Sequence, residues 1–380
     1  MTSPSADPKG GLVGPSPPGP RPRLSLIIPT YNERENLPIL LMRIQKALLG
    51  IDYEVIVVDD NSPDGTWQVA EDASGESSSV LLVRRPGKMG LASAFLDGLK
   101  SSRGELVGLM DADLQHPPEL LPRLVEAIDG GADIAVASRI VKGGGVSSWP
   151  VWRRLVSWGA RLLATLALPR TSGVKDTMSG FFVAKRGVIS GMELSSRSFK
   201  VLLEILAKGK YENVVEVPYV FEPRQRGHSK LGFGEMWNYL RHLFRLFVET
   251  KSYLTFLKFC LVGLSGVVVN EAIFWALSVL LGVFYLLSGA LSAESAIVNN
   301  FIWNDSWTFR EKADDRSAKA RLSRFLRFNV NMAGGVLLGL VVLYVLTAWL
   351  GLNSLISNLV SIVVSMLWNY AASTKFVWNR

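Results

Sequence analysis

Two carboxylates separated by one residue, Asp111 and Asp113, directly follow an apolar run at residues 106–110. Alternate side chains of an extended segment point the same way, so this pair could share one site. The neutral oxygen of Gln115 suits a hard cation such as Mg²⁺ or Mn²⁺, with a diphosphate as its companion. The competing interpretation is a strand-to-helix connection in which Asp113 caps the helix that begins near residues 117–119.

The elements that must position these residues alternate between apolar strands and amphipathic helices. The pattern predicts strands at residues 24–29, 53–58, 80–83, 106–110 and 133–137, with helices at 35–49 and 91–101. This alternation indicates an α/β domain with a Rossmann-like, mainly parallel sheet, whose ligands bind beyond the carboxyl ends of the strands. We therefore expect residues 29–33, 59–62, 111–113 and 138–139 to meet at one edge of the sheet.

The chain carries no glycine loop of the kind that cradles a dinucleotide. No G-x-G-x-x-G or Walker sequence follows a predicted strand, and we expect Gly143, Gly144 and Gly145 to form a flexible loop because they open no helix. An acidic rim without such a loop favours a nucleotide-sugar whose diphosphate is carried by a metal. Asp60 is then placed to accept hydrogen bonds from the base or the ribose.

Composition limits the remaining classes of protein. The formal net charge is +8, but the basic residues gather near predicted membrane boundaries and no RNA- or DNA-binding signature is present, so we expect no nucleic-acid partner. One cysteine and three histidines argue against disulfides and against a zinc site. Residues 1–23 are rich in Pro, Gly and Ser and lack the apolar core of a signal peptide, which predicts a disordered tail and a cytoplasmic catalytic part.

Three sequence blocks carry a family resemblance. They are IIPTYNE at residues 27–33, VVDDNSPDGT at 57–66 and DADLQHPPE at 111–119. Over residues 24–234 the chain resembles the inverting family-two glycosyltransferases of GT-A fold, and among them the dolichol-phosphate mannose synthases. The resemblance implies that Asp113 and Gln115 hold a divalent metal, Mg²⁺ or Mn²⁺. It implies nucleotide-sugar contacts from Pro29, Tyr31, Glu33, Val58, Asp60, Asp111, Ala112, Asp113, Gln115, Arg139, Lys200, Arg224 and Lys230.

A basic segment, RQRGHSK at residues 224–230, matches the closing loop of that family. Its cations and glycine could offer several donors to phosphate oxygens on a mobile segment, although a solvated basic loop is the plainer interpretation. The resemblance assigns Arg224 and Lys230 to the phosphates. With Asp113 and Arg139, they form the expected catalytic group. We do not expect His228 to act as a base, because a phosphate nucleophile needs none.

A second short segment, DTMSGFF at residues 176–182, resembles the acceptor-side motif of the family. Ser179 could hydrogen-bond the acceptor phosphate, or it could shape a turn before the strand predicted at residues 181–184. Processive polysaccharide synthases of the same fold carry a Gln-x-x-Arg-Trp motif. Its absence from this chain favours the transfer of one sugar to each acceptor.

The last third of the chain contains an internal duplication. Residues 256–310 match residues 325–379 at a constant shift of 69, with Gly266 corresponding to Gly335 and Asn300 to Asn369. Each copy has two apolar stretches near the length of a membrane span, at about 259–281 and 284–303, then 328–350 and 352–372. We therefore expect residues 254–380 to form an all-α transmembrane domain of four helices in two parallel repeats.

Charge predicts the orientation of this multi-pass domain. The short loops at residues 282–288 and 351–354 lack Lys and Arg, whereas the connection at 310–327 is rich in both, which places the catalytic domain and both termini in the cytoplasm. The domain resembles the GtrA-like four-helix family. An anchor is its simplest function, but Glu271 and Glu294 keep lipid contact or translocation open. Segments at 149–168 and 235–253 are amphipathic and suit the surface of the lipid bilayer.

The resemblance implies transfer of mannose from GDP-mannose to dolichyl or another polyprenyl phosphate, with inversion. A polyprenyl-phosphate glucose synthase that uses UDP-glucose is the nearest alternative, because it can share the fold, the metal motif and the membrane attachment. An alternative of another class is a flippase for lipid-linked sugars with a nucleotide-sugar-sensing domain. The duplicated membrane half keeps that possibility open.

Overall fold

A seven-stranded sheet organises the first half of the chain. The computed structural model describes residues 21–146, 151–195, 200–221, 233–313 and 315–378. The strand order is β3-β2-β1-β4-β7-β5-β8, and every pair is parallel except the two formed by β7. The strands are β1 (Leu24–Thr30), β2 (Tyr53–Asp59), β3 (Val80–Arg84), β4 (Leu106–Leu109), β5 (Ile134–Ser138), β6 (Gly145–Val146), β7 (Phe182–Lys185), β8 (Val214–Pro218) and β9 (Val220–Phe221).

Helices cover both faces of this sheet. Leu26 and Ile28 point into one core and Ile27 into the other, because successive side chains of a strand alternate between faces. Burial on both faces explains why the strands appear in the sequence as continuous apolar runs. The helices are α1 (Leu37–Ala47), α2 (Thr66–Glu76), α3 (Leu91–Ser101), α4 (Leu121–Asp129), α5 (Val151–Ala167), α6 (Arg186–Ile189), α7 (Val201–Lys208) and α8 (Phe233–Glu249).

Two local expectations need correction. The segment after β5 is not simply a flexible loop, since β6 pairs with β9 in a separate two-stranded sheet. Tyr219 joins the two sheets, because its N–H donates to Ser138 O and its carbonyl accepts from Gly145 N, each at 3.1 Å. At the other end of the domain, the tail predicted at residues 1–23 lies largely outside the described residues. Arg23 nevertheless belongs to the fold, where its N–H donates to Asp52 O at 2.9 Å.

Four long helices make up the described part of the second half. They are α9 (Ser252–Trp275), α10 (Tyr285–Trp303), α11 (Ala318–Tyr344) and α12 (Ser354–Ala372). Each continues into a π-helical turn, at Ala276–Leu280, Asn304–Thr308, Val345–Trp349 and Ser373–Val377 respectively. Corresponding helix ends and π-helical turns differ by 69 residues, so the structure confirms the predicted repeat.

The same close contact holds each pair of helices together. A Cβ atom at Gly266 would lie 2.4 Å from Asn300 Oδ1, and one at Gly335 would lie 2.1 Å from Asn369 Oδ1. A larger residue cannot occupy either position without moving the asparagine. The duplicated glycine and asparagine therefore set the approach of α9 to α10 and of α11 to α12.

Three of these helical segments are long and apolar enough to cross a membrane: Ser252–Leu280, Ala318–Trp349 and Ser354–Val377. Helix α10 is also present, but it carries Glu294 together with several serines and asparagines. The second predicted span is therefore confirmed as a helix, while its composition is more polar than that of the other three. The first membrane helix begins at Ser252, earlier than the residue 259 predicted from hydropathy alone.

The two halves touch through the connection between the repeats. Lys312 Nζ donates to Pro169 O at 2.6 Å and to Ser172 Oγ at 3.3 Å, at the end of α5. Leu166 on α5 packs against a buried aromatic cluster of the membrane half that includes Phe309 and Trp378. Helix α5 therefore contacts the membrane half directly.

Candidate active site

The carboxyl ends of β1, β2 and β4 form the edge at which most of the predicted residues meet. Thr30 pairs with Asp59 where β1 and β2 end, and Met110 N donates to Ile27 O at 3.2 Å where β4 ends. The buried Asp59 carboxylate accepts hydrogen bonds from Thr30 Oγ1 at 2.8 Å, Ser62 N at 2.8 Å and Ser62 Oγ at 2.7 Å. These bonds fix the loop after β2 against the end of β1.

The loop after each of these three strands contains a non-glycine residue whose backbone has a positive φ and lies in the left-handed region. These residues are Asn32 (φ 61°), Asn61 (φ 53°) and Leu114 (φ 60°). Asparagine tolerates this conformation, whereas a leucine in it is unusual. The Leu114 side chain is buried in the core, which offsets the strain of its backbone. Strained backbone of this kind often occurs at functional sites.

The turn at Leu114 changes the expected geometry of the acidic pair. Strand β4 ends at Leu109, so Asp111 and Asp113 do not lie on an extended segment as predicted. Instead Asp113 Oδ1 accepts a hydrogen bond from Gln115 N at 3.1 Å across the turn. Gly180 packs against the Asp111 carboxylate, where a Cβ would lie 2.9 Å from Oδ2. Asp113 does not cap a helix, because the first helical turn after it begins at Pro118.

The oxygen atoms that the protein offers around this turn suit a metal ion that is also bound by the phosphates of a substrate. Within the described ranges, no three His, Cys, Asp or Glu residues come together in a way that could hold an ion. Asp113 and Gln115 offer only a carboxylate and an amide oxygen, with Asp111 two residues before Asp113. Mg²⁺ is often bound by one or two carboxylates together with substrate phosphates. The residues therefore fit a shared metal rather than a complete protein cage.

Asp60 is buried in a network that the sequence did not predict. Its carboxylate forms an ion pair with Arg85 and accepts hydrogen bonds from Met89 N at 3.2 Å and Gly90 N at 3.3 Å. Arg85 is itself buried, and its Nε lies 3.2 Å from Asp97 Oδ2. Asp60 therefore anchors the loop before α3. Arg85 directly follows β3, and this position is the only sequence signal that could have indicated its role.

Tyr31 presents an open aromatic surface beside this network. Its side chain is 37% exposed, and Lys88 Nζ lies 4.1 Å from its ring centroid. Nearby, Glu33 Oε2 accepts from Asn36 Nδ2 at 2.6 Å. Pro29 and Val58 are register partners on β1 and β2. Val58 is fully buried as a whole residue, so the structure gives no support to its predicted contact with a nucleotide-sugar. Ala112 is also buried, between the two aspartates.

Arg139 forms a bidentate ion pair with buried Asp176. Its Nε donates to Asp176 Oδ2 at 2.8 Å and its Nη2 donates to Oδ1 at 2.7 Å. Burial alone would raise the pKa of Asp176, but the Arg139 hydrogen bonds and charge outweigh it and hold that pKa below its ordinary value. The ion pair fixes the orientation of the Arg139 guanidinium. The family resemblance had not revealed Asp176 as its partner.

The remaining predicted residues lie in different surroundings. Ser179 is buried, and its hydroxyl donates to Ala137 O at 2.8 Å, which favours the turn-shaping interpretation over a contact with the acceptor phosphate. Lys200 is partly exposed immediately before α7. Arg224 and Lys230 lie outside the described residues.

A group of aromatic rings packs beneath Asp111. His116 lies 5.5 Å from Phe181, 5.9 Å from Tyr219 and 5.5 Å from Phe221, measured between ring centroids. Its Nδ1 is 3.8 Å from Asp111 Oδ2. Burial lowers the pKa of His116 to about 4, so the imidazole is neutral near pH 7. The sequence motif contained His116 but gave no indication of this aromatic environment.

Two amphipathic helices extend from the same domain with apolar side chains exposed. Trp152 and Trp158 on α5, and Trp237 and Phe244 on α8, are each more than half exposed. The helices are joined where Tyr239 Oη donates to Ala160 O at 2.6 Å. Helix α8 is also tied to α7, since Arg245 Nη2 lies 3.4 Å from buried Glu204 Oε2. The apolar surface is thus attached to the helix that follows Lys200.

Comparisons with known proteins divide the chain in a similar way. Residues 25–191 match the model for glycosyl transferase family 2, and residues 258–378 match the GtrA/DPMS transmembrane domain. Among solved structures, glucosyl-3-phosphoglycerate synthase from Mycobacterium tuberculosis, in complex with Mn²⁺, UDP-glucose and phosphoglyceric acid, is similar at 19% identity and a TM-score of 0.45. That similarity covers 60% of this chain and 79% of the other.

Two curated relatives extend the similarity beyond single domains. A dolichol-phosphate mannosyltransferase from Pyrococcus furiosus is 45% identical over 94% of this chain and 99% of its own length. Another from Mycosarcoma maydis is 37% identical over 60% of this chain and 79% of its own length. The first match covers the catalytic and the membrane halves together. The chain therefore belongs to the dolichol-phosphate mannosyltransferase family and is a membrane-bound glycosyltransferase.

Proposed function

We propose that the enzyme transfers mannose from GDP-mannose to dolichyl or another polyprenyl phosphate, with inversion at the anomeric carbon. The observation that carries this proposal is the position of Asp111 and Asp113. They lie at the strand edge beside Tyr31, in a domain that also bears the exposed apolar faces of α5 and α8. The proposed nucleotide-sugar site and the exposed apolar surface would thus belong to one domain.

The donor is proposed to lie across the ends of β1, β2 and β4. Tyr31 would stack against the base, while Asp60, held by Arg85, would face the base or the ribose from the rim. Glu33 and the backbone at Pro29 and Ala112 would complete the nucleotide-side contacts. Asp111 would lie near the sugar and the diphosphate.

The reaction needs little proton chemistry from the protein. An oxygen of the acceptor phosphate attacks the anomeric carbon, the bond from that carbon to the GDP oxygen breaks, and GDP leaves with the bonding electrons. A phosphate monoester is already anionic and nucleophilic near pH 7, so the protein need not remove a proton from it. Alignment and stabilisation of charge on the leaving diphosphate would supply most of the catalysis.

Several groups are proposed to stabilise the diphosphate. Asp113 and Gln115 would hold Mg²⁺ or Mn²⁺, which supplies Lewis-acid neutralisation of the developing charge. Arg224 and Lys230 would bind phosphate oxygens, and Lys200 would add a cation before α7. The guanidinium of Arg139, held in place by Asp176, would contribute a positive charge of fixed orientation. The catalytic domain and both termini are proposed to lie on the cytoplasmic side, because the basic connection between the repeats contacts the catalytic half.

A donor panel tests this proposal. The purified full-length protein in lipid vesicles is incubated with one polyprenyl phosphate, Mg²⁺ or Mn²⁺, and GDP-mannose, GDP-glucose, UDP-glucose or UDP-mannose. We expect GDP-mannose to give by far the highest rate of lipid product, and chelation of the metal to abolish it. Preferential use of UDP-glucose would support the glucose synthase alternative instead. Donor binding without any lipid product would favour a sensor coupled to transport.

A further inference from the structure

A cavity of about 360 Å³ lies inside the membrane half, away from the strand edge that forms the candidate active site. It runs along α11 and α12 and is open on one side, where Val336, Leu340 and Ile362 are more than half exposed. The ends of α9 and α10 that lie nearest the catalytic half bound its other side. The lining on α11 extends from Phe328 to Leu343, which corresponds to about 22 Å along the helix axis. This is a large part of the roughly 30 Å hydrocarbon thickness of a bilayer.

The chemistry of the lining changes along the cavity. Apolar residues such as Val336, Leu340 and Ile362 line much of its length, and Asn300, Asn304 and Asn369 gather at the end nearest the catalytic half. Uncharged polar residues on α12 line the rest: Asn358, Ser361 and Ser365. None of the described residues that line the cavity is acidic or basic. A charged headgroup would therefore lose its hydration there without gaining a counter-charge, which is strongly unfavourable.

Asn304 provides the polar group that points to a ligand. Its side chain is only 2% exposed, and its Oδ1 has no hydrogen-bond partner among the described residues. A buried acceptor without a donor is unfavourable, and such groups in native proteins are usually satisfied by a ligand or by water. A hydroxyl placed in the cavity would satisfy Asn304 Oδ1.

The cavity occupies positions at which the two repeats differ. Gly263 lines it, and the corresponding residue of the second repeat is Met332. A Cβ at Gly263 would meet no atom within 4 Å, so the glycine leaves open space. Asn304 corresponds to Ser373, whose Oγ accepts a hydrogen bond from Asn331 Nδ2 at 3.0 Å. At these two positions the first repeat thus has a gap and an unpaired acceptor, whereas the second has the Met332 side chain and a hydrogen-bonded Ser373. Asn369 Oδ1 of the second repeat also lines the cavity without a hydrogen-bond partner among the described residues.

We propose that this cavity binds one uncharged, long-chain membrane alcohol. Its aliphatic chain would lie along α11 and α12, and its hydroxyl would donate to Asn304 Oδ1. The length of the cavity fits an extended chain, the lack of charge disfavours a phosphate, and the unpaired amide oxygen requires a donor. The cavity lies in the membrane half, apart from the strand edge of the candidate active site, and the proposal does not depend on the proposed function.

Binding of three matched C20 isoprenoids to the purified full-length protein tests the proposal. Geranylgeraniol carries the donor, geranylgeranyl acetate lacks it, and geranylgeranyl phosphate adds charge. We expect saturable binding of the alcohol, and binding about tenfold weaker for the acetate, as loss of one hydrogen bond to a buried acceptor implies. Equal affinity for alcohol and acetate, or tightest binding of the phosphate at this site, would overturn the assignment.

Two variants locate the binding. Gly263→Met gives the first repeat the residue of the second and should abolish binding of the alcohol by filling the gap. Gly289→Met is the matched control, because Gly289 does not line the cavity and a Cβ there would meet only Phe274, at 3.9 Å. Asn304→Ala should reduce affinity for the alcohol to that for the acetate and leave the acetate unchanged. Unchanged alcohol binding in both Gly263→Met and Asn304→Ala would place the ligand elsewhere and refute the proposal.

Discussion

Phe309 and Trp378 stack on each other with ring centroids 4.6 Å apart and planes 18° from parallel. Their positions differ by 69 residues, the shift that relates the two repeats. The reciprocal contacts of Phe256 with Tyr370 and of Phe325 with Phe301, each at 5.1 Å, obey the same relation. Each repeat therefore contributes equivalent residues to one shared aromatic cluster, around an approximate twofold axis along the helices.

This cluster should carry much of the stability of the membrane half. Trp378→Ala removes a fully buried ring and its hydrogen bond to Asp305, at 2.9 Å, so we expect a loss of about 3–5 kcal/mol in the free energy of unfolding. Trp378→Phe, which copies aromatic Phe309, should cost clearly less. Thermal unfolding in detergent measures both, with exposed Trp349→Ala as control. Equal effects of Trp378→Ala and Trp349→Ala would contradict this role.

The Arg139–Asp176 pair predicts an asymmetry between single and double variants. Asp176→Asn leaves a largely buried guanidinium without its counter-charge and should lower the free energy of unfolding by about 3–5 kcal/mol. The double variant Arg139→Met with Asp176→Leu should lose less stability, because no buried charge remains, yet it should be inactive. Thermal unfolding and mannosyl transfer separate the two effects. A double variant less stable than Asp176→Asn would show that the ion pair is not the source of the cost.

A metal shared with the nucleotide predicts coupled binding. Mn²⁺ should bind weakly to the enzyme alone and at least about tenfold more tightly with saturating GDP, and by linkage Mn²⁺ should tighten GDP by the same factor. Asp113→Asn should remove this coupling and lower kcat/KM by roughly 100-fold, about 2.7 kcal/mol of transition-state stabilisation. Isothermal titration measures the coupling, with exposed Asp129→Asn as control. Strong Mn²⁺ binding without nucleotide would mean a complete protein cage instead.

Lys230 allows binding to be distinguished from catalysis. If its ammonium acts mainly on the departing diphosphate, Lys230→Ala should lower kcat by a larger factor than it weakens GDP affinity. Lys210→Ala, at an exposed lysine between α7 and β8, should leave both quantities unchanged. Equal losses of kcat and GDP affinity in Lys230→Ala would indicate a uniform binding contact.

Local sequence patterns predicted most helices and strands, because strands that are buried on both sheet faces appear in the sequence as continuous apolar runs. Helix α3 was predicted at the residues where it occurs, and the ends of β1 and β2 were predicted to within one residue. The sequence pattern predicts one strand at residues 214–220, but the structure divides this segment into β8 and β9. The division was missed because the pairing partners of β8 and β9, which are β5 and β6, are set by tertiary structure. The repeat could be detected in the sequence because the same contacts, such as that of glycine with asparagine, recur in both copies.

The candidate site was predictable as a set of loops but not as a set of partners. Asp176 and Arg139 are 37 residues apart, and Asp60 and Arg85 are 25 apart, so no short pattern could reveal either pair. The left-handed turn at Leu114 was also invisible, because a leucine gives no local signal for that conformation. Such pairings arise only when the folded sheet brings separate strand ends together.

The anomeric configuration of the product tests the central claim most directly. GDP-mannose carries its sugar in the α configuration, and one displacement by the acceptor phosphate inverts that carbon. The full-length protein in vesicles is supplied with GDP-mannose labelled with ¹³C at the anomeric carbon and a polyprenyl phosphate, and the one-bond C–H coupling of the purified lipid product is measured by NMR. We expect a β-mannosyl phosphate lipid as the only mannosylated product. An α-linked product would contradict direct displacement by the acceptor phosphate.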